Sequence, residues 1–235
     1  MKVEIWSDVV CPWCHVGKAR FEEALRRLGW DESDVEITFR PFELDRHVPP
    51  GGLEIGEYLR KKFGNRATVE TIEGRVGEAG AEVGVTFDWT KVRRVNSFDA
   101  HRLLEWALTE EGPAAQGRLK RRLMAGYFED GADVSDYGVL AGLASEVGLD
   151  PAAATEVLAS GAFGAEVRAG EQEARELEIH AVPTFVIERR MAIPGAQDPE
   201  TFVNLLARIR NRLADEAAEA PDGGDTACAA DDPNC

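Results

Sequence analysis

Within its first 42 residues the chain spells a strand, a helix and a second strand with little between them. Lys2-Val-Glu-Ile-Trp6 alternates with the period of two that sends every second side chain to one face of a sheet. Val16, Phe21, Ala24, Leu25 and Leu28 then share one face of a helix that Gly29 can close. Val35 to Phe42 alternates again. A helix linking two strands is the crossover that builds a parallel pair, so this opening commits the chain to a parallel sheet with helices on it. The end of the chain is sheet-forming too. Thr184-Phe-Val-Ile187, a turn at Arg189-Arg190 and a Met191-Ala-Ile193 run precede a helix opened by Asp198-Pro199, whose apolar side carries Phe202, Leu205, Leu206, Ile209 and Leu213.

The middle reads as about six helices. Val69, Ile72, Val76, Ala79 and Val83 recur at helical spacing and end at Gly84. Ser97 is placed to cap a helix carrying Ala100, Leu103, Leu104, Ala107 and Leu108, closed by Gly112. Pro113 suits the first turn of the next, which bears Leu119, Leu123 and Tyr127. Ser135 and Asp150-Pro151 mark two further starts, and Ala162 to Leu177 forms one more helix. The expected architecture is one α/β domain, residues 1–50 and 178–217, interrupted by a helical insertion over 51–177. Residues 218–235 are acidic and small, with nothing to bury, and read as a flexible tail. No internal repeat is present. At 235 residues the chain can bury roughly 70–75% of its unfolded surface, so it needs no metal or disulfide scaffold.

Charge excludes one class of partner. Acidic residues outnumber basic ones 43 to 27, for a net charge of -16, and such a field repels nucleic-acid phosphates. Among the basic residues Lys is scarce, the balance of a protein suited to high salt. The first 20 residues hold Lys2, Glu4 and Asp8 and no apolar run of signal-peptide length. No later stretch approaches the roughly 18 apolar residues that span a bilayer. These features point away from a membrane and toward the cytoplasm, where a cysteine pair is more often catalytic or metal-binding than structural.

The four cysteines fall in two clusters, Cys11 with Cys14 and Cys228 with Cys235. Cys11-Pro12-Trp13-Cys14 lies between the first strand and its helix, which puts the first thiol at a helix N-terminus. Open backbone N–H groups and the positive end of the helix dipole favour a thiolate there, and such motifs bring a thiol from about 8.5 to roughly 3.5–7. Cys14 then lies one turn in, near enough for a disulfide and less accessible. Pro12 pre-sets the first helical residue. His15 is placed to donate to the Cys11 sulfur or to favour its thiolate.

With Ala181-Val182-Pro183-Thr184 before the late strand, and the helical insertion, this motif resembles the DsbA-like thiol–disulfide oxidoreductases of the thioredoxin fold. Asn96-Ser-Phe-Asp-Ala-His-Arg102 and Gly195-Ala196-Gln197 are similar to segments of the FrnE and 2-hydroxychromene-2-carboxylate isomerase branch. The resemblance spans about residues 2 to 213. It implies a thioredoxin-like fold, a cis-proline at Pro183 facing the cysteine pair, and a Val182 backbone open to substrate chains. It also implies disulfide exchange with protein or small thiols, a redox partner, and no cofactor. In the isomerase and kappa-class glutathione transferase relatives a serine usually stands where Cys11 does here, so two cysteines favour dithiol exchange over glutathione activation. Some FrnE-type proteins carry a C-terminal cysteine pair with four residues between, against six here, which makes Cys228 and Cys235 a candidate second redox pair.

Plainer readings stand beside these. Cys11-x-x-Cys14-His15 fits a c-type haem attachment pattern, the four cysteines have the count of a zinc site, and free cysteines also pack as small hydrophobes. A glutathione-dependent isomerase or transferase and a non-catalytic zinc module are the rival functions. Asp8 is placed to tune Cys11 or to be one surface acid among many. His101 reads equally as core or site, and His47 and His180 are as ambiguous. Arg118 to Arg122 reads as a solvated face, and Gly195-Ala196-Gln197 as a possible plain turn.

Overall fold

The computed structural model describes residues 1–31, 33–49 and 51–219. In chain order the elements are β1 (Lys2–Ser7), α1 (Pro12–Leu28), β2 (Glu36–Pro41), β3 (Leu53–Glu54), α2 (Ile55–Phe63), α3 (Arg66–Ala81) and β4 (Arg93–Arg94). There follow α4 (Phe98–Ala125), which runs into a π-helical turn at Gly126–Asp130, then α5 (Tyr137–Glu146), α6 (Pro151–Ser160), α7 (Gly164–Glu176), β5 (Thr184–Ile187), β6 (Met191–Pro194) and α8 (Pro199–Glu219). The main sheet has the order β2-β1-β5-β6. β1 and β2 are parallel, with Ile5 opposite Phe39, whereas β5 runs antiparallel to both β1 and β6. This is the thioredoxin-like α/β arrangement that the opening and closing segments imply.

The period-two pattern decides what each face of β1 meets. Val3 and Ile5 point to the side covered by α1 and α8, where Phe21, Phe185 and Phe202 form one aromatic cluster, Phe21 stacking on Phe185 with ring centres 5.0 Å apart. Trp6 points to the other side, among Ala174, Ile179 and Val186, and its Nε1–H donates to the Gly170 carbonyl at 3.4 Å. α7 can approach this closely because Gly170 lacks a side chain: a Cβ there would lie 2.7 Å from Pro41 Cγ. A second core joins α4, α5 and α6, and it includes Val9 and Val10 from the turn after β1. The residues leading into the cysteine motif are therefore gripped by the helical segment.

The helices expected on either side of Gly112 and Pro113 are both present: Gly112, at φ 84° and ψ 179°, breaks the helical backbone inside α4, and helix resumes at Pro113. Other local expectations change. Ser97 makes no capping bond; the neighbouring Asn96 Oδ1 accepts the Phe98 N–H at 2.9 Å instead. Ser135 likewise yields to Asp136, which accepts the Val139 N–H at 2.9 Å, while the Ser135 hydroxyl turns to Asp133. In both places the side-chain oxygen that meets the start of the helix belongs to the neighbouring residue. α2 and the β3–β4 pair carried no sequence signal strong enough to be expected. Helical structure continues through Glu219, two residues beyond the expected end of the domain.

β2 is an edge strand of the main sheet, and edges invite unwanted pairing. Gln116 of α4 closes it: its Oε1 accepts the Phe39 N–H at 2.7 Å and its Nε2 donates to the Phe39 carbonyl at 2.9 Å. One side-chain amide thus stands in for a neighbouring strand. Gln116→Leu leaves both backbone groups buried and unpaired, and we expect a loss of about 2 kcal/mol or more. The urea midpoint should fall with an unchanged m-value; an unchanged midpoint would show that the edge does not need this side chain.

Candidate active site

α1 begins where β1 ends, and the cysteine motif occupies its first turn. Cys11 is the N-cap residue, in extended conformation at φ -97° and ψ 113°, and Pro12 is the first helical residue. The Cys11 carbonyl accepts the N–H groups of Cys14 and His15 at 3.1 and 3.2 Å. Cys11 therefore sits at the positive end of the α1 dipole, and Cys14 lies one turn in. Both are free thiols. Their exposures, 5% and 1%, keep the expected order but place both thiols beneath the surface. Trp13, at 36%, is the exposed member of the motif. Leu44, Met124 and Val182 pack around the two sulfurs. Burial and the adjacent Cys11 push the Cys14 thiol well above its usual range.

The Val182–Pro183 bond is cis, and the Cys11 Sγ–H lies 3.9 Å from the Val182 carbonyl oxygen. The sequence segment after the insertion is thus brought against the first thiol. Gly17 makes this possible. A Cβ at Gly17 would stand 2.8 Å from Pro183 Cγ and 3.2 Å from Ala196 Cβ, so only glycine lets α1 lie this close. Gly195 N–H donates to the Pro183 carbonyl at 2.8 Å, and Arg20 donates to the Ala196 carbonyl at 3.0 Å. Gly195-Ala196-Gln197 is therefore the loop that supports Pro183.

Asp8, buried in the turn before Cys11, gathers the surroundings. Its Oδ1 accepts the Val10 N–H at 3.3 Å and its Oδ2 the Leu44 N–H at 2.8 Å. His101 Nε2 stands 3.4 Å from Oδ1, off the line of a good hydrogen bond. Burial opposes ionisation of Asp8, but the His101 side chain, the Arg94 guanidinium and the Leu44 N–H outweigh it and hold the carboxyl at about 2. Burial pushes His101 down, toward the neutral ring. Arg94 is itself buried and lies over the Tyr58 ring, 5.0 Å from its centre.

His15 takes a different place from the expected one. Its ring stacks on Phe128 at 5.7 Å and meets Phe87 edge-on at 5.9 Å, and neither ring nitrogen has a hydrogen-bond partner among the described residues. It makes no bond to Cys11. Burial, with the nearby Lys18 charge, lowers it to about 4, so at neutral pH it is an uncharged part of an aromatic cluster. The side chain follows the apolar face of α1 into that cluster, and sequence proximity to the cysteines does not override this. The side chains of His47 and His180 are exposed. Arg102 serves the helical core, donating to the carbonyls of Ala162, Val157 and Leu158.

Two groups escaped the sequence reading. Glu43, which accepts from Asn96 at 3.3 Å and from Arg168, lies beside Glu171; burial raises it to about 7. Lys120 belongs to the run read as a solvated face, yet it is 1% exposed. Its Nζ donates to the Ser7 carbonyl at 3.4 Å. The signal was present: Gln116, Lys120 and Met124 recur every four residues beside the buried Leu119 and Leu123, one stripe facing the sheet and the cysteines. Cys228 and Cys235 lie outside the described residues. Among the described residues no three His, Cys, Asp or Glu side chains are placed to hold a metal ion, which gives the zinc reading no support.

Two outcomes follow from this packing. The folded protein cannot easily protonate His15, whereas the unfolded chain does so below about 6.5. His15 therefore lowers stability as pH falls from about 6.5 to 4, by up to roughly 3 kcal/mol, and has no effect above that window. Glu43, raised to about 7, acts in the opposite sense, so the comparison must be between the wild type and His15→Phe. The difference between their melting temperatures should change across pH 7 to 4; parallel curves would count against it. Gly17→Ala should cost about 1–3 kcal/mol by overpacking against Pro183, readable in chemical denaturation.

The comparisons agree with this geometry. Residues 2–207 match the family described as a DSBA-like thioredoxin domain. A probable DsbA oxidoreductase, SCO1869 of Streptomyces coelicolor, is 35% identical; its crystal structure has a TM-score of 0.76 to this one, with 90% of each chain covered. YwbO of Bacillus subtilis (strain 168), described as an uncharacterized protein, is 29% identical over 204 residues, 85% of this chain and 92% of that one. The cytosolic disulfide reductase DsbM of Pseudomonas aeruginosa, in a structure with GSH, is 16% identical and shares the fold at a TM-score of 0.64, covering 91% of this chain and 100% of its own. With strand, cysteine turn, inserted helices and Val182-Pro183 all in place, the chain belongs to the DSBA-like thioredoxin-domain family of thiol–disulfide oxidoreductases.

Proposed function

We propose that the protein exchanges disulfides with protein or low-molecular-weight thiols through Cys11 and Cys14. The observation that carries this reading is the pair of free thiols within one turn at the start of α1, the outer one against the Val182 carbonyl. In the reducing direction, the Cys11 thiolate attacks a substrate disulfide. A Cys11–substrate S–S bond forms, the substrate's own S–S bond breaks, and one substrate thiolate leaves and takes up a proton. Cys14, deprotonated, then attacks the Cys11 sulfur, forming the Cys11–Cys14 disulfide and releasing the second substrate thiolate. Two electrons pass from the dithiol to the substrate, and the reverse sequence oxidises a substrate dithiol. No cofactor enters either direction. The direction taken follows the pair's potential relative to its compartment, where about 30 mV is worth 1.4 kcal/mol.

Trp13, Leu44 and Val182 offer an apolar margin beside the thiols, suited to an extended chain carrying an apolar residue next to its cysteine. Two thiols in the motif favour exchange over the glutathione activation of the isomerase and transferase relatives. Glutathione remains a fitting small substrate, since the DsbM of the same fold is described with GSH. The cytoplasm is the location this reading takes. DsbM is described as cytosolic, and no helix among the described residues is long and apolar enough to cross a membrane.

Cys11→Ser should abolish the protein's acceleration of insulin reduction by dithiothreitol. Cys14→Ser should accumulate a mixed disulfide on Cys11, visible by mass spectrometry. Full turnover by Cys14→Ser would overturn the two-thiol mechanism.

A further inference from the structure

Resolution of the mixed disulfide asks something specific of this site. Cys14 must lose its proton while buried at 1% exposure, where the surroundings oppose the charge. We propose that Lys120 of α4 is the acid–base partner of Cys14, accepting that proton and leaving an ammonium to balance the new thiolate. This rests on the exchange reading above and assigns it a residue from the inserted helices.

The geometry brings Lys120 to this task from an unexpected direction. α4 presents Gln116, Lys120 and Met124 in one stripe toward the sheet. Gln116 is fixed on β2 by two hydrogen bonds to Phe39, and Met124 packs on Cys11 and Cys14. Lys120 lies between them, its Nζ 3.4 Å from the Ser7 carbonyl and 5.8 Å from the centre of the Phe39 ring. No carboxylate lies within ion-pair distance of its Nζ among the described residues, although a buried ammonium normally needs one. Its charge acts instead on Cys14, Asp8 and Cys11. A lysine placed so is an expensive way to hold a helix against a sheet, and a serviceable way to manage a thiol's proton.

Each other group facing this compartment is already occupied. On α1, Cys11 is the first nucleophile, His15 is enclosed by Phe87 and Phe128, and Lys18 is paired with Glu22 at 2.6 Å. On the turn after β1, Asp8 is held at about 2, too weak a base to take a thiol proton. On α4 itself, His101 faces Asp8. β2 contributes the Phe39 ring. Burial, partly offset by Cys14, Asp8 and Cys11, brings Lys120 down to about 8, which leaves a usable neutral fraction near neutral pH. The proton balance is then internal: Cys14–SH and Lys120–NH2 become Cys14–S⁻ and Lys120–NH3⁺. The thiolate attacks the Cys11 sulfur and the departing substrate thiolate carries the electron pair. Lys120 afterwards returns its proton to solvent or to that thiolate.

The test uses Ellman's reagent on the reduced full-length protein with Cys228 and Cys235 both replaced by Ser, so that only Cys11 and Cys14 can react. The first nitrothiobenzoate released reports attack by Cys11, and the second reports resolution by Cys14. Lys120→Met should slow the second release at least tenfold at pH 7, keep the first within about threefold, and move the pH limb of the second phase upward. Lys120→Arg keeps a cation that does not deprotonate near neutrality, so its second release should stay slow too. Wild-type rates and an unchanged pH profile of the second phase in either folded variant would overturn the proposal. If the Met variant does not fold, the Arg variant decides by the same criterion. A wild type that releases neither equivalent would instead defeat the exchange reading, so the two failures are distinguishable.

Discussion

The ionised carboxyl of Asp8 is the point on which the site is assembled. It lies in the turn between β1 and α1, and it joins pieces of chain that are distant in sequence. Val10, just before the cysteine motif, and Leu44, just after β2, both donate backbone N–H groups to it, and His101 of α4 faces it. Leu44 in turn packs against the cluster of Cys11, Cys14 and Met124. Loss of this carboxylate would leave the buried Val10 N–H and the part-buried Leu44 N–H without acceptors and loosen the loop beside the thiols. A buried charge is retained here because several fixed donors meet it at once, and a charge so satisfied holds its neighbours in one arrangement.

Around that anion the protein distributes its cations with little redundancy. Arg94 and Lys120 are both buried, and neither forms a close ion pair among the described residues; each contributes field more than contact. In a low-dielectric interior such fields reach farther than they would in water. The cysteine pair therefore works in an environment made jointly by two parts of the chain. The sheet and α1 supply the thiols and Pro183, and the inserted helices supply Met124, His101 and Lys120. The inserted helices thus form part of the surroundings of the thiols as well as a cover for the sheet.

The sheet was largely legible because strand periodicity is local. β1, β2, β5 and β6 stand where alternation and turn residues put them, and α1 and α8 begin at Pro12 and Pro199 as their capping signals imply. The cysteine pair was legible for the same reason, since a strand-to-helix junction fixes which thiol comes first. His15 shows where local reasoning stops. Its sequence position suggested a partner for Cys11, but a helix advances 100° per residue, and the fourth residue of this turn points into Phe87 and Phe128. At Ser97 and Ser135 the side-chain bond to the helix start comes from the neighbouring Asn96 and Asp136 instead.

The sequence alone determined the class of the fold and the place of the cysteine pair in it: two sheet-forming ends, a helical interval, and a Cys-Pro-Trp-Cys turn at a helix start. Only the tertiary structure decided what surrounds those thiols. Val182 comes to Cys11 from 171 residues away, and Lys120 comes to Ser7 from 113. Among the arginines around it, Lys120 carries no mark of burial except its register with Gln116 and Met124. Contacts of that range depend on how helices lie on a sheet, which side-chain volumes such as the missing Cβ of Gly17 and of Gly170 permit. Periodicity records which face of an element is apolar; which charged group another element brings to that face is settled only when the elements pack.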